Sequence, residues 1–492
     1  MKSNEYDVII IGAGIGGLTC GCYLAQAGMK VLIVEQHDKV GGYCTSFMRK
    51  RFIFNPLTSS LGNLGKDKEL GKIFYELHLD NVKFIRANPS EIIRTPDFEL
   101  PIYNNFDQTI ADIQIMFPNY AKSIKEYFNF IRNEDIRTLY VRLRNKTFSE
   151  LLEQYFVDHK LRALMGMMLW RLGMEFTKIN AFTAAIHYRE FIFDLGYHPI
   201  GGMQILSNSI LMRFKEAGGQ LLLSQFVSKI TIKDAKVCGI ILKNGDFIGS
   251  KFLVCACDPT HIYLDLIGDD LLEKVFVKKL KNSIPSNSSF TLFLGINRKL
   301  KDNISPTYLL CYYSNYNADK YDAKDIRHLE KQNLDIPLFF VFPSFYDQSL
   351  VPEGMESVGI TILAPFKDER YWKNKKNELS DKVIKKAEEI IPNISKNIVV
   401  KETVSPFTLY RYTMNREGGV HGWACIPEQV NSLLTPQRSF IKNLFFAGQW
   451  VSLFTGESGL PTAAFTGRKV SQLILGLTKK VHIVPLEEVN LN

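Results

Sequence analysis

Gly12, Gly14 and Gly17 form a G-x-G-x-x-G pattern, and Glu35 follows the third glycine by eighteen residues. These residue types at this spacing suit the binding of a dinucleotide. The first glycine permits a tight turn, the second lets a pyrophosphate approach the backbone, and the third lets a helix pack against a strand. The acid at the end of the unit accepts hydrogen bonds from a ribose. Ala13, Ile15 and Gly16 complete the loop and the first helical turn, and Gln36 follows the acid, so all four join the candidate cofactor residues.

Placing those groups requires a strand, a helix and a second strand. Residues 8–11 are apolar and mostly β-branched, as in a strand buried on both faces. Residues 18–27 suit a helix that Gly28 stops, and residues 31–34 read as the next buried strand. Residues 8–29 carry no charge, which raises the alternative of a membrane helix. Five glycines between Gly12 and Gly21 argue against it, because each costs roughly 0.5–1 kcal/mol in a helix interior. A signal peptide is not expected either, since Glu5 and Asp7 stand where a basic region belongs and no small-residue cleavage site follows. With this stretch assigned to the cofactor, no transmembrane span is expected, and any membrane contact should be peripheral.

A second glycine pair, Gly41-Gly42, follows Glu35 by six residues, with Tyr43 next. At this point the chain resembles the FAD-binding flavoproteins of the glutathione-reductase-like class, and the resemblance implies FAD. Near the C-terminus, residues 443–449 read NLFFAGQ, a short buried strand running into Gly448 and Gln449. Gly459, Leu460 and Pro461 then mark a helix start. Its free N–H groups and partial positive charge would stabilise a reduced flavin at the N1–C2=O edge. The first and last segments should therefore meet around one cofactor.

With 492 residues and 46% hydrophobic content, the chain can build two or three subdomains with sizeable cores. The formal net charge of +9 includes no long basic run, so nucleic acid is not an expected partner. Lys373-Asn374-Lys375-Lys376 is a local cluster, and a basic surface favours anionic lipid. None of the eight cysteines forms C-x-x-C, so neither a zinc site nor a thioredoxin-like motif is expected. All eight read as reduced, which suits the cytoplasm.

The FAD-binding domain is expected to be discontinuous, α/β and Rossmann-like, drawn from residues 1–75, 195–275 and 435–475. Residues 76–194 read as a largely helical lid or substrate subdomain, with helices over 120–132 and 148–172. Residues 276–434 read as a mixed α+β substrate-domain sheet interrupted by a helix over 379–391. Residues 252–257 are an apolar strand ending in Cys257, counted among the cofactor residues. The 410–412 cluster Tyr-Arg-Tyr reads as a tunnel lining, as a site for a polar substrate end, or as a strand with alternating faces.

Taken together, E35QHDKVGGYCTSF, Y197HPIGGM, the 405–422 region and F446AGQWVSLFTGESGLPTAAFTGR resemble the phytoene-desaturase-like flavoproteins, which include carotenoid desaturases, carotenoid isomerases and retinol saturases. The resemblance implies non-covalent FAD and a long apolar polyene or isoprenoid that is desaturated, saturated or isomerised at the flavin. Residues 195–275 also resemble the third segment of the FAD domain in the amine-oxidase-like flavoproteins, which implies that Val227 lends its backbone to the adenine. Two positions depart from the family pattern: Asn55-Pro56-Leu57 replaces Asp-x-Gly, and Tyr43 stands where related flavoproteins often carry Arg. No catalytic residue is assigned. His421, Glu417 and Glu457 are candidates for moving a proton, each with a structural role as the alternative. Two rival readings share the fold. A flavin amine oxidase predicts an aromatic pair, for which Trp450 is one candidate. A prenyl-binding protein of the GDP-dissociation-inhibitor type predicts no working flavin site.

Overall fold

The computed structural model describes residues 5–57, 60–300, 304–317, 321–332, 334–430, 435–451 and 459–478. Strand Tyr6–Ile11 lies at the centre of a seven-stranded sheet, between Val31–Val34 and Phe247–Cys255 and parallel to both. Val8, Ile9 and Ile10 are fully buried, and each contributes about 1.5–3 kcal/mol of apolar burial. Gln220–Leu222 extends the sheet on one side. On the other side, Phe247–Cys255 pairs with both Leu444–Phe446 and the hairpin strand Lys236–Leu242. One sheet thus draws on three separated stretches of chain, as a discontinuous α/β unit requires.

Helix Ile15–Gln26 is buried on nearly every side. It is covered by Met203–Glu216 and by the C-terminal helix Leu460–Thr478. A Cβ on Gly467 would stand 2.4 Å from the Gly16 carbonyl oxygen, so the first and last helices cross at a contact that only glycine permits. The first and last described helices do meet, as expected.

The second sheet also has seven strands, ordered Ile398–Val404, Ser288–Ile296, Glu356–Ala364, Leu338–Val341, Leu309–Tyr312, Glu91–Arg94 and Glu99–Ile102. All nine residues of Ser288–Ile296 are buried, and side chains alternate between its faces. Phe290, Leu292 and Leu294 pack with Trp372, Leu379 and Val383 of helix Glu369–Ala387. Ser289, Thr291 and Phe293 face a large cavity instead. Glu356–Ala364 divides in the same way, with Ile360 and Ile362 toward the helix and Gly359, Thr361 and Leu363 toward the cavity.

Several local expectations need correction. Residues 148–172 are not one helix but Phe148–Glu153, His159–Met167 and a 3-10 turn, Trp170–Leu172. Asp158 caps the second piece by accepting from Leu161 N, and Gly173 in the left-handed region ends the turn. The helix expected over 379–391 begins ten residues earlier, at Glu369. Its early turns are rich in charged residues, which hides the apolar period. Residues 76–194 are helical from Phe106 onward, but Glu91–Arg94 and Glu99–Ile102 join the second sheet. Tyr410, Arg411 and Tyr412 lie on helix Pro406–Thr413, not on a strand. Ser405 caps that helix ahead of a proline at its first position.

Candidate functional site

The cavity between the two sheets has a volume of about 820 Å³. One half is built from backbone. Gly12 has φ +98°, and a Cβ on Gly17 would stand 2.0 Å from the Gly12 carbonyl oxygen. These two glycines hold the loop against the helix. A Cβ on Gly14 would meet nothing within 4 Å, so that side of the loop is open to a ligand. The helix begins at Ile15 with no side-chain cap and no acid in its first turn. Its N-terminal dipole is left to favour an anion.

Glu35 closes this loop from behind. Its carboxylate accepts from Ala13 N at 2.7 Å and from His37 N at 3.0 Å. A carboxylate has about four acceptor positions, which leaves capacity for ribose hydroxyls. Gly41 N donates to the Ala13 carbonyl at 2.9 Å, and a Cβ on Gly42 would stand 3.3 Å from Gly14 Cα. The two glycine motifs therefore form one cradle. Gln36 and His37 both reach the Tyr412 carbonyl, and the His37 and Tyr412 rings stack at 4.9 Å.

Val227, Cys257, Gly448, Gln449, Gly459, Leu460 and Pro461 line the same cavity. Gln225 N donates to the Glu35 carbonyl, which brings the start of the Val227–Lys233 strand beside the acid. Gly448 N donates to Thr466 Oγ1 at 2.8 Å. A Cβ on Gly16 would stand 2.7 Å from Gly448, so backbone meets backbone at the cavity floor. Of the candidate cofactor residues, Ala13 and Gly17 do not reach the cavity but support the loop. An open glycine loop, an uncapped helix start and an acid beyond it fit a dinucleotide cofactor.

Both departures from the family pattern are accommodated. Tyr43 OH donates to the Gly419 carbonyl at 3.0 Å, and burial pushes its phenol up to about 12, so it stays neutral. It joins the second glycine loop to the 413–419 segment. Asn55 Oδ1 accepts from Ser46 Oγ at 2.7 Å and from Met203 N at 3.1 Å, capping the Met203–Glu216 helix without a charge.

The proton-transfer candidates separate. His421 lines the cavity, and burial, aided by the Arg171 charge, pushes its imidazole down to about 4. Glu417 is 41% exposed, lies 3.9 Å from Lys324 and is not on the cavity wall. Glu457 lies outside the described residues. Trp450 lines the cavity and packs edge-on against Trp423 at 4.9 Å, and its Nε1 donates to Asn415 Oδ1. Sequence reasoning missed Arg171, His187 and Tyr308, which line the other half of the cavity. A lone Arg in a methionine-rich segment and a His inside an apolar helix gave no local signal.

The comparisons with known proteins agree with this geometry. The chain is 24% identical to a chloroplastic prolycopene isomerase of Daucus carota, over 98% of this chain and 82% of that one. It is 22% identical to an all-trans-retinol 13,14-reductase of Danio rerio, over 94% of this chain and 85% of that one. An oxidoreductase from Methanosarcina mazei has the same fold, with a TM-score of 0.69 at 16% identity, over 95% of this chain and all of that one. The family model described as flavin containing amine oxidoreductase matches residues 15–475, and the chain belongs to that family.

Proposed function

We propose that the chain binds FAD without a covalent link and acts on carbon–carbon bonds of a long apolar polyene or isoprenoid, by desaturation, saturation or cis-trans isomerisation. One observation carries the reading: one cavity runs from the glycine cradle to a face of the second sheet that mixes apolar side chains with hydroxyls. The similarity to a prolycopene isomerase and a retinol reductase supports it.

Gly12, Ala13, Gly14, Ile15, Gly16 and Gly17 form the pyrophosphate loop in this reading. Glu35 and Gln36 take the ribose end, and Val227 and Cys257 flank the adenosine. Gly41, Gly42 and Tyr43 cover the cofactor's middle. Gly448, Gln449, Gly459, Leu460 and Pro461 meet the flavin ring. FAD supplies hydride or electron transfer at N5. The protein orients the chain on Phe293, Val341, Thr361 and Leu363 and excludes water from it. An amine substrate fits less well, because among the described residues no buried carboxylate lines this half to hold its charge. Among the described residues no helix is long and apolar enough to cross a membrane. We infer a cytoplasmic protein that meets its substrate at a membrane surface, a reading that the eight free thiols and the net positive charge support.

The test is the absorption spectrum of the purified protein, followed by anaerobic mixing with a panel of polyenes and retinoids. Bound flavin bleached by one of them supports desaturation. Bound flavin that needs prior reduction before any polyene is converted supports saturation or isomerisation. A purified protein without flavin would overturn the proposal in favour of prenyl binding.

A further inference from the structure

The substrate half of the cavity contains a polar cluster that an apolar chain leaves unused. Arg171 is 10% exposed, and its Nη1 donates to Glu91 Oε2 at 2.5 Å. Glu91 is itself buried, and its other oxygen accepts from Trp170 Nε1 at 3.0 Å and Cys311 Sγ at 2.9 Å. Glu91 therefore both holds the guanidinium at the cavity wall and balances its charge.

Two imidazoles share that wall. His187 is 1% exposed and stacks on Phe191 at 4.9 Å, yet among the described residues neither of its ring nitrogens has a hydrogen-bond partner. His421 Nδ1 is likewise buried without a partner. A Cβ on Gly459 would stand 3.7 Å from the His421 ring, so this histidine adjoins the helix start proposed to face the flavin. Burial, aided by the Arg171 charge, keeps both rings neutral. A neutral imidazole offers one N–H donor and one acceptor nitrogen. Leaving such groups unpaired in a buried site is costly.

We propose that His187 and His421, beside Arg171, form a subsite for a hydroxyl group carried by the apolar substrate. A hydroxyl donates to one ring nitrogen and accepts from the other. A pure hydrocarbon satisfies neither. A carboxylate adds an uncompensated charge to a cluster in which Glu91 already balances Arg171. The proposal rests on the polyene reading above and adds the substrate's functional group to it.

The experiment titrates the flavin-loaded protein with three ligands of one carbon skeleton, presented in the same micelles: all-trans-retinol, its deoxygenated hydrocarbon and all-trans-retinoic acid. Binding is read from the quenching of tryptophan fluorescence. The alcohol should bind about tenfold more tightly than the hydrocarbon, the worth of a buried hydrogen bond, and the acid no more tightly than the alcohol. In the His187→Leu/His421→Leu double variant the alcohol's advantage should disappear while hydrocarbon binding persists. Equal binding of alcohol and hydrocarbon, tighter binding of the acid, or an advantage that survives the double variant would each overturn the subsite alone. Failure of all three ligands to bind the flavin-loaded protein would overturn the polyene reading with it. The three-ligand comparison on the unmodified protein decides the matter even if the variant does not fold.

Discussion

The two halves of the cavity are built from different materials. At the cradle, glycines bring backbone against backbone at Gly12, Gly16 and Gly42, and one acid, Glu35, secures the loop. At the far half, side chains from four strands of the second sheet and from the 170–191 region make the wall, and its buried cation, Arg171, stands with two histidines among hydroxyl and apolar side chains. The cradle should thus tolerate almost no added atom, whereas the far half should tolerate changes of shape but not of polarity. The contrast matches the tasks proposed for them: holding a cofactor with fixed phosphates, and discriminating among apolar chains.

The largest expected effect tests the cradle. Gly17→Ala puts a Cβ 2.0 Å from a backbone oxygen, an overpacking that costs at least about 1–3 kcal/mol. The purified variant should lose both thermal stability and flavin; a normal melting temperature with full occupancy would refute the close approach. Gly14→Ala sharpens the same point, because its Cβ meets no protein atom and its φ of −68° suits alanine. Stability of the flavin-free protein should change by less than about 0.5 kcal/mol, while flavin retention on dialysis falls sharply. Equal losses of stability in the two variants would erase the distinction between holding the loop and meeting the ligand.

Glu35→Ala comes next. It leaves the Ala13 and His37 N–H groups without their acceptor, at about 1–3 kcal/mol. Flavin affinity should drop roughly tenfold or more, read by equilibrium dialysis. Unchanged affinity would remove Glu35 from the cofactor site.

A smaller effect probes the far half through pH. His187 is held down to about 3 and His421 to about 4, against about 6.5 in an unfolded chain. From about pH 6.5 down to 4 the unfolded chain takes up protons that the folded chain refuses. Stability is therefore full above that window and falls as pH falls through it. His187→Leu and His421→Leu should each flatten the curve of urea midpoint against pH, by up to about 1.4 kcal/mol per pH unit. A curve as steep as the parent's would mean that these rings are not buried neutral.

The cradle was legible because each signal is local. A strand, a glycine loop, a helix and an acid lie within one run of chain, and Gly41-Gly42 follows at once. The capped start of Pro406–Thr413 was equally present in Ser405-Pro406, but three alternating aromatic and basic residues suggested a strand. Glu91–Arg94 was hidden because its two central apolar residues face different cores, Ile92 under the second sheet and Ile93 among the helices. Neither periodicity nor charge marks so short a strand.

The sequence by itself determined the phosphate-binding fold, because glycine conformations and buried strands depend on neighbours a few residues away. It determined that both chain ends meet, since each carries half of a recognisable motif. Only the tertiary structure decided what faces the substrate. Glu91, Arg171, His187 and Cys311 each alone read as an ordinary core or surface residue, and His421 stood out only as one of three separate proton-transfer candidates. Their shared wall exists because a seven-stranded sheet and a cluster of short helices pack against one another. That long-range packing, not any local spacing, puts a balanced charge and two imidazoles without partners among the described residues on one cavity wall.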